Sequence, residues 1–321
     1  MMKKIFFFLG CLFILNNLLA QSGVQYEMTV AQDGTGDFTS IQSAINATKA
    51  FPDKRITIYI KNGTYREKVR VPSWNNKLSL IGEDAGKTII SWDDYFKKID
   101  RGRNSTFFTY TLKVEAVDFY AKNLTIENTA GPVGQAVALH LEGNRCSFIN
   151  CKFLGNQDTM YLTGENSKQY FGNCTIEGTT DFIFGSATVV FNHCTIVSRR
   201  DSYITAASTN QGKAFGFVFM NCKLEAKEGV TKVYLGRPWR PFAKTVFMNC
   251  ELGSHIAPEA WKEWSNADDK STTFYAEYNN SGPGANNTDR ASWSHQLKKG
   301  EAKKYTKTRI LGDWVQIYLN K

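Results

Sequence analysis

Residues 151–185 read CKFLGNQDTMYLTGENSKQYFGNCTIEGTTDFIFG, and this stretch holds one frame twice: Cys151, Gly155, Asp158, then Cys174, Gly178, Asp181. The cysteine contexts extend the frame. FINCKF, YFGNCTI, VFNHCTI, FMNCKL and FMNCEL surround Cys151, Cys174, Cys194, Cys222 and Cys250 at intervals of 23, 20, 28 and 28 residues. FYAKNLTIEN adds an earlier copy, with Leu124 in the cysteine's place 27 residues before Cys151. Apolar, polar, small and apolar residues in alternation describe a strand. A repeat of 20 to 28 residues describes one coil of a solenoid per copy. Short strands rich in Val, Ile, Phe and Thr, parted by Asn and Gly turns with few hairpin signals, fit an all-β, single-stranded, right-handed parallel β-helix better than a sandwich or propeller.

In that fold the cysteines form a core ladder and act as small hydrophobes rather than disulfide partners. Zinc needs paired ligands at short spacing, and His140, His193, His255 and His295 are scattered, so no metal is expected. No nucleotide-binding loop is visible either: GTGDFT lacks the third glycine, and no cofactor is expected. TSIQSAINATKAF is the early helix candidate, with Thr39 or Ser40 as its cap and Ile41, Ala44, Ile45 and Thr48 on one face. It is expected to close the N-terminal end of the solenoid.

The first twenty residues, MMKKIFFFLGCLFILNNLLA, set Lys3 and Lys4 before an apolar run and end on Ala20, the pattern of a cleaved secretory signal. The run is short for a membrane span. The expected organisation is a signal over 1–20 and one β-helix domain over 21–321, exported to the periplasm or secreted. No long pro-region is read ahead of the domain, and a capped solenoid is consistent with a monomer. Removing Lys3 and Lys4 takes the formal charge from +9 to +7. A basic surface suits an acidic polymer such as a polyuronate. Basic clusters interleaved with aromatics are absent, which argues against nucleic acid.

If the cysteines stack, equivalent positions in successive coils lie about 4.8 Å apart. Asp158 and Asp181 then become neighbours on one outer face, where mutual repulsion raises one pKa and leaves one carboxylic acid beside one carboxylate. A hydrogen-bonded Asp ladder at turns is the plainer outcome. The same count nominates Asp201, where adjacent Arg199 and Arg200 point to a salt bridge instead. Gln157 and Tyr161 beside Asp158, and the phenylalanines of DFIFG, suit a carbohydrate cleft.

VAQDGTGDFTSIQSAINA, GTYREKV, NTAGPVGQAVAL, GNQDTMY, DFIFG, LGRPW and IAPEAWKEW occur in order from about Val30 to Trp293. Through them the chain resembles the pectin methylesterase (pectinesterase) family of carbohydrate esterases, whose fold is the right-handed parallel β-helix. The resemblance implies hydrolysis of methyl esters of galacturonate units in pectin (homogalacturonan). It implies Asp181 as nucleophile and Asp158 as the acid that protonates methanol and then the base that activates water. It implies Gln135 and Gln157 as oxyanion donors, Arg237 as the partner that keeps Asp181 ionised, and Trp239, Tyr161, Phe184 and Trp261 as a sugar-binding wall. Glu67 matches the family and is assigned a structural or rim role. Two more residues separate Asp158 from Asp181 than in plant members, a surplus that fits the loop LTGENSK. Met160 stands where the family usually has Leu.

A lyase of the same fold would want calcium-binding carboxylates and a basic proton abstractor, and a polygalacturonase wants carboxylates flanking a glycosidic bond. A noncatalytic pectin-binding solenoid would keep Trp239 and Tyr161 without reason to keep both aspartates with Arg237. A serine esterase is disfavoured by the absence of G-x-S-x-G.

Overall fold

The computed structural model describes residues 24–265 and 270–319; the expected signal over 1–20 lies outside them. Parallel strands build three sheets of eleven, eight and seven strands, and neighbours within a sheet come from successive coils. The chain is thus a parallel β-helix, each full coil giving one strand to each sheet. Among the described residues no helix is long and apolar enough to cross a membrane.

The repeated frame sets the coil. Phe148 pairs with Phe171, Phe171 with Phe191, Phe191 with Phe219 and Phe219 with Phe247 across the large sheet. Their rings stack inside the solenoid with centroids 5.2, 5.2, 4.4 and 4.2 Å apart. Each fully buried Phe contributes on the order of 2–3 kcal/mol from removal of apolar surface. Two residues on from each Phe, the chain must turn into the next sheet. Asn150, Asn173, His193, Asn221 and Asn249 make that turn with φ between 50° and 54°. Asn and His tolerate this left-handed region better than most side chains.

The following cysteines, Cys151 to Cys250, are therefore in register, all free and buried. Burial pushes the thiols of Cys146 and Cys151 up to about 12, so they pack and do not react. At the C-terminal end Glu277 pairs with Phe247 and so takes the next place in the Phe ladder. Its buried carboxylate is held by the forked guanidinium of Arg290 at 2.8 and 3.1 Å.

The early helix spans Ile41–Ala47, with Ser40 as cap and Ile41, Ala44 and Ile45 buried. Glu67 accepts hydrogen bonds from the backbone N–H groups of Ile41 and Gln42, both at 2.9 Å. It satisfies orphan donors at the helix start, a structural position remote from the aspartates.

Candidate active site

The turn from the eight-stranded sheet into the seven-stranded sheet carries both aspartates. Gly178 is required there: a Cβ on it would lie 2.2 Å from Cβ of Phe182. The chain folds tightly back, Phe182 enters the core, and Asp181 is left on the outer rim. Gly155 performs the same service against Thr159 one coil earlier. Met160 pairs with Ile183 and Tyr161 with Phe184, which sets Asp158 level with Asp181 in neighbouring coils, as the repeat predicts. The loop between Met160–Leu162 and Lys168–Gly172 lies beyond the aspartate turn and leaves that register intact. Both aspartates have positive φ, 65° and 49°, a sparsely populated backbone region that recurs where side chains are held for function.

The two carboxyls share a cleft of about 310 Å³ with Gln135, Gln157, Arg237 and Trp239. Asp158 is 9% exposed and Asp181 6%. Arg237 Nε donates to Asp181 Oδ1 at 3.0 Å and Nη2 to Oδ2 at 2.6 Å, a bidentate pair that fixes the carboxylate plane. The guanidinium is packed against the rings of Tyr203 and Trp264, 4.0 and 4.1 Å from their centres. Burial pushes Asp181 up and Arg237 opposes it. Asp158 is pushed up much further, by burial first and by the charge of Asp181 second, with only the more distant Arg237 against it. The shared proton therefore belongs on Asp158, and Asp181 is the ionised member.

Gln135 and Gln157 bridge in parallel register on successive coils, and the N–H of Ala136 donates to Gln157 O at 3.1 Å. Among the described residues neither side-chain amide has a hydrogen-bond partner, so both can donate into the cleft. Phe184 faces the cleft and meets Trp239 edge-on at 5.9 Å. Tyr161 stands one place behind, stacked on Phe184 at 4.7 Å and against Phe107 at 4.8 Å. It supports the wall rather than lining it.

Two expectations are corrected. Trp261 is 1% exposed and belongs to the core, packed against Tyr275 and Phe247 at 5.0 and 5.9 Å, so it cannot meet a sugar. Its neighbour Trp264, 38% exposed, lines the cleft in its stead. Replacing Trp261 by Ala is expected to cost about 3 kcal/mol of stability in a denaturant titration, with KM unmoved. Asp201 is not the third rung, because the turn after Cys194 is two residues longer and Tyr203 takes the place level with Asp181. Its Oδ1 accepts backbone N–H bonds from Thr231 and Lys232 at 2.8 and 2.9 Å instead of pairing with Arg199 or Arg200.

Sequence reasoning missed Tyr203, Trp264 and the turn Gly102–Phe108, which contributes Arg103, Thr106 and Phe107 to the cleft. Tyr203 was hidden by the lengthened turn, which shows only in the register of the strand beyond it. The others lie in segments outside the repeating frame, where no period reports which way a side chain faces.

A family model described as pectinesterase matches residues 27–313. A probable pectinesterase/pectinesterase inhibitor of Brassica napus is 39% identical over 307 residues, covering 89% of this chain and 51% of the relative. The chain thus spans about half the length of that plant relative. Pectin methylesterase from carrot superposes with a TM-score of 0.86 at 32% identity, covering 93% of this chain and 97% of the carrot chain. A crystal structure of a pectin methylesterase in complex with a hexasaccharide gives 0.79 at 29% identity, with 91% and 98% covered.

Proposed function

The chain belongs to the pectinesterase family, and from that premise we propose that it hydrolyses methyl esters of galacturonate units in pectin, releasing methanol and de-esterified polygalacturonate. The observation that carries the reading is the uneven carboxyl pair: one aspartate clamped by a bidentate arginine, the other buried without a cation of its own.

Asp181 attacks the ester carbonyl carbon, and the carbonyl oxygen takes the negative charge. Gln135 and Gln157 are neutral donors on adjacent coils, suited to that oxyanion because they need no proton bookkeeping of their own. The tetrahedral centre collapses, the bond from carbon to methoxy oxygen breaks, and the proton of Asp158 goes to the departing methoxide to give methanol. An acyl-enzyme anhydride on Asp181 remains. Asp158, now a carboxylate, takes a proton from water as it attacks the acyl carbon. The second collapse frees Asp181 as a carboxylate, regenerates protonated Asp158 and leaves a galacturonic acid unit, which loses its proton to solvent to become the carboxylate. Arg237 keeps Asp181 ionised and aimed throughout. Trp239 and Phe184 supply the apolar wall for a sugar face, with Tyr161 behind them.

The alternatives of a noncatalytic pectin-binding solenoid or another polyuronate-active enzyme are not favoured, since the family model and the relatives compared are pectinesterases. The direct test is methanol release from highly methylated pectin with excess chelator present and ultraviolet absorbance followed in parallel. Methanol with no absorbance rise from unsaturated uronides is the expected result. No methanol from folded protein would sink the proposal. Truncating Gln157 to Ala is expected to lower kcat on the order of 10²-fold with a smaller change in KM. An equal rise in KM at constant kcat would mean that the amide holds the ground state only.

Residues 1–20 are proposed as an export signal, with pectin met outside the cytoplasm and the mature chain acting as a monomer. The intact mass of the exported protein tests the cleavage point.

A further inference from the structure

The turn Gly102–Phe108 is fastened to the solenoid at several points. Lys68 Nζ donates to Phe108 O and to Asp94 Oδ2, both at 2.6 Å. His140 Nδ1 lies 3.2 Å from Phe107 O, and the Phe107 ring packs on Tyr161. Within the turn, Ser105 Oγ accepts from Arg101 N at 2.7 Å and donates to Gly102 O at 2.8 Å. The backbone under Arg103 is therefore fixed, yet Arg103 itself is exposed and has no hydrogen bond or ion pair to another described residue. It nevertheless lines the cleft that holds both aspartates. Arg237 differs in that Asp181 already occupies its fork.

The outward row of the seven-stranded sheet runs Lys113, His140, Tyr161, Phe184, Ala206, Arg237, one residue per coil. The turn bearing Arg103 covers His140 and Tyr161 and so stands at the end of the cleft facing the earlier coils. At the other end Trp239 and Trp264 also wall an adjoining depression that carries Arg240, whose guanidinium lies 5.1 Å from the Trp239 ring centre. A linear polyuronate carries a carboxyl group on every unit, and a chain laid along this axis would run between Arg103 at one end and Arg240 at the other.

We propose that Arg103 is a specificity-determining residue that binds the free carboxylate of a uronate unit flanking the ester under attack, so that partly de-esterified pectin is preferred to fully esterified pectin. The proposal rests on the esterase reading for its substrate. A methylated neighbour is neutral and offers only a carbonyl oxygen, whereas a free carboxylate accepts two charge-assisted hydrogen bonds from the planar fork.

The test compares wild type with Arg103→Gln, Arg103→Lys and, as an equal charge change away from the cleft, Lys54→Gln. Two quantities are read: equilibrium binding of a de-esterified oligogalacturonate, and the ratio of kcat/KM on low-methyl to high-methyl pectin. Arg103→Gln is expected to weaken oligogalacturonate binding about 3- to 10-fold and to lower the ratio similarly. Arg103→Lys should recover part of the loss, and added salt should shrink the difference. Equal binding by wild type and Arg103→Gln, no binding by wild type, or an equal loss in Lys54→Gln would overturn the assignment. If wild type released no methanol from any pectin, the esterase reading would fail while the binding comparison still decided the role of Arg103.

Discussion

Methanol release by Asp181→Asn is expected to fall by about four orders of magnitude in kcat, with the fold intact. The substitution is nearly isosteric, and the remaining amide oxygen can still accept one hydrogen bond from Arg237, whose guanidinium keeps its packing against Tyr203 and Trp264. Only the oxygen proposed as the nucleophile is lost. Asp158 cannot readily stand in for it: the charge of Asp181 no longer acts on it in the variant, but burial, the larger cause, still pushes its pKa up and favours the protonated, non-nucleophilic form. Its own backbone turn also holds it one coil away. A general-base role for Asp181 predicts a loss of about 10²- to 10⁴-fold, since water could still attack unassisted, so the size of the loss alone does not separate the two roles. The decisive companion measurement is trapping. Wild type mixed with pectin and quenched in hydroxylamine should yield the hydroxamate of Asp181, located by peptide mass, and Asp181→Asn should yield none. Hydroxamate on another residue, or full activity in the variant, would remove Asp181 from the nucleophile's place.

What could be read from sequence follows what the repeat constrains. The Phe, Asn, Cys frame recurs because each coil must bury a ring, turn with positive φ and bury a small side chain at the same height, so one-dimensional spacing reports three-dimensional register. That is why Asp158 and Asp181 could be set side by side from counting alone. The count fails at Asp201, where two added residues fall within the counted interval, and register is restored only by the strand beyond it. Trp261 and Trp264 show the other limit. They are three residues apart in an irregular segment, one in the core and one over Arg237, and no strand alternation or helical face distinguishes them. Arg103 belongs to an excursion with no copy in other coils, so its position in the cleft is a tertiary fact. The pairing of Arg237 with Asp181, 56 residues away, came from the family resemblance; the frame itself says only that an arginine follows a glycine on an outer strand.

The second large effect is expected from Asp158→Asn, and it has two independent signs. On the proposed mechanism, formation of the acyl-enzyme in the wild type requires Asp181 ionised and Asp158 protonated, so kcat/KM should rise with pH through the ionisation of Asp181 and fall through that of Asp158. Both groups are raised by burial, so the bell should lie above the ordinary carboxylate range of about 4. Asn cannot release a proton to methoxide, and the loss at the optimum is expected to be about 10³-fold. The descending limb should vanish with it, leaving only the ascending limb of Asp181. A bell that survives in Asp158→Asn would assign the upper limb to another group. Stability supplies the second sign. A carboxyl whose folded pKa is raised holds its proton more tightly in the folded state, so its contribution is present below the unfolded value and is lost as pH rises through the folded value. Above that pH the wild type must hold a second buried anion beside Asp181, a cost that the neutral amide never meets. Asp158→Asn should therefore melt above wild type at neutral pH, by about 2–4 °C for each kcal/mol relieved, with the difference closing towards pH 4. An enzyme nearly dead in turnover yet more stable at neutral pH is what a destabilised catalytic acid predicts. A structural aspartate would lose stability on the same substitution at every pH.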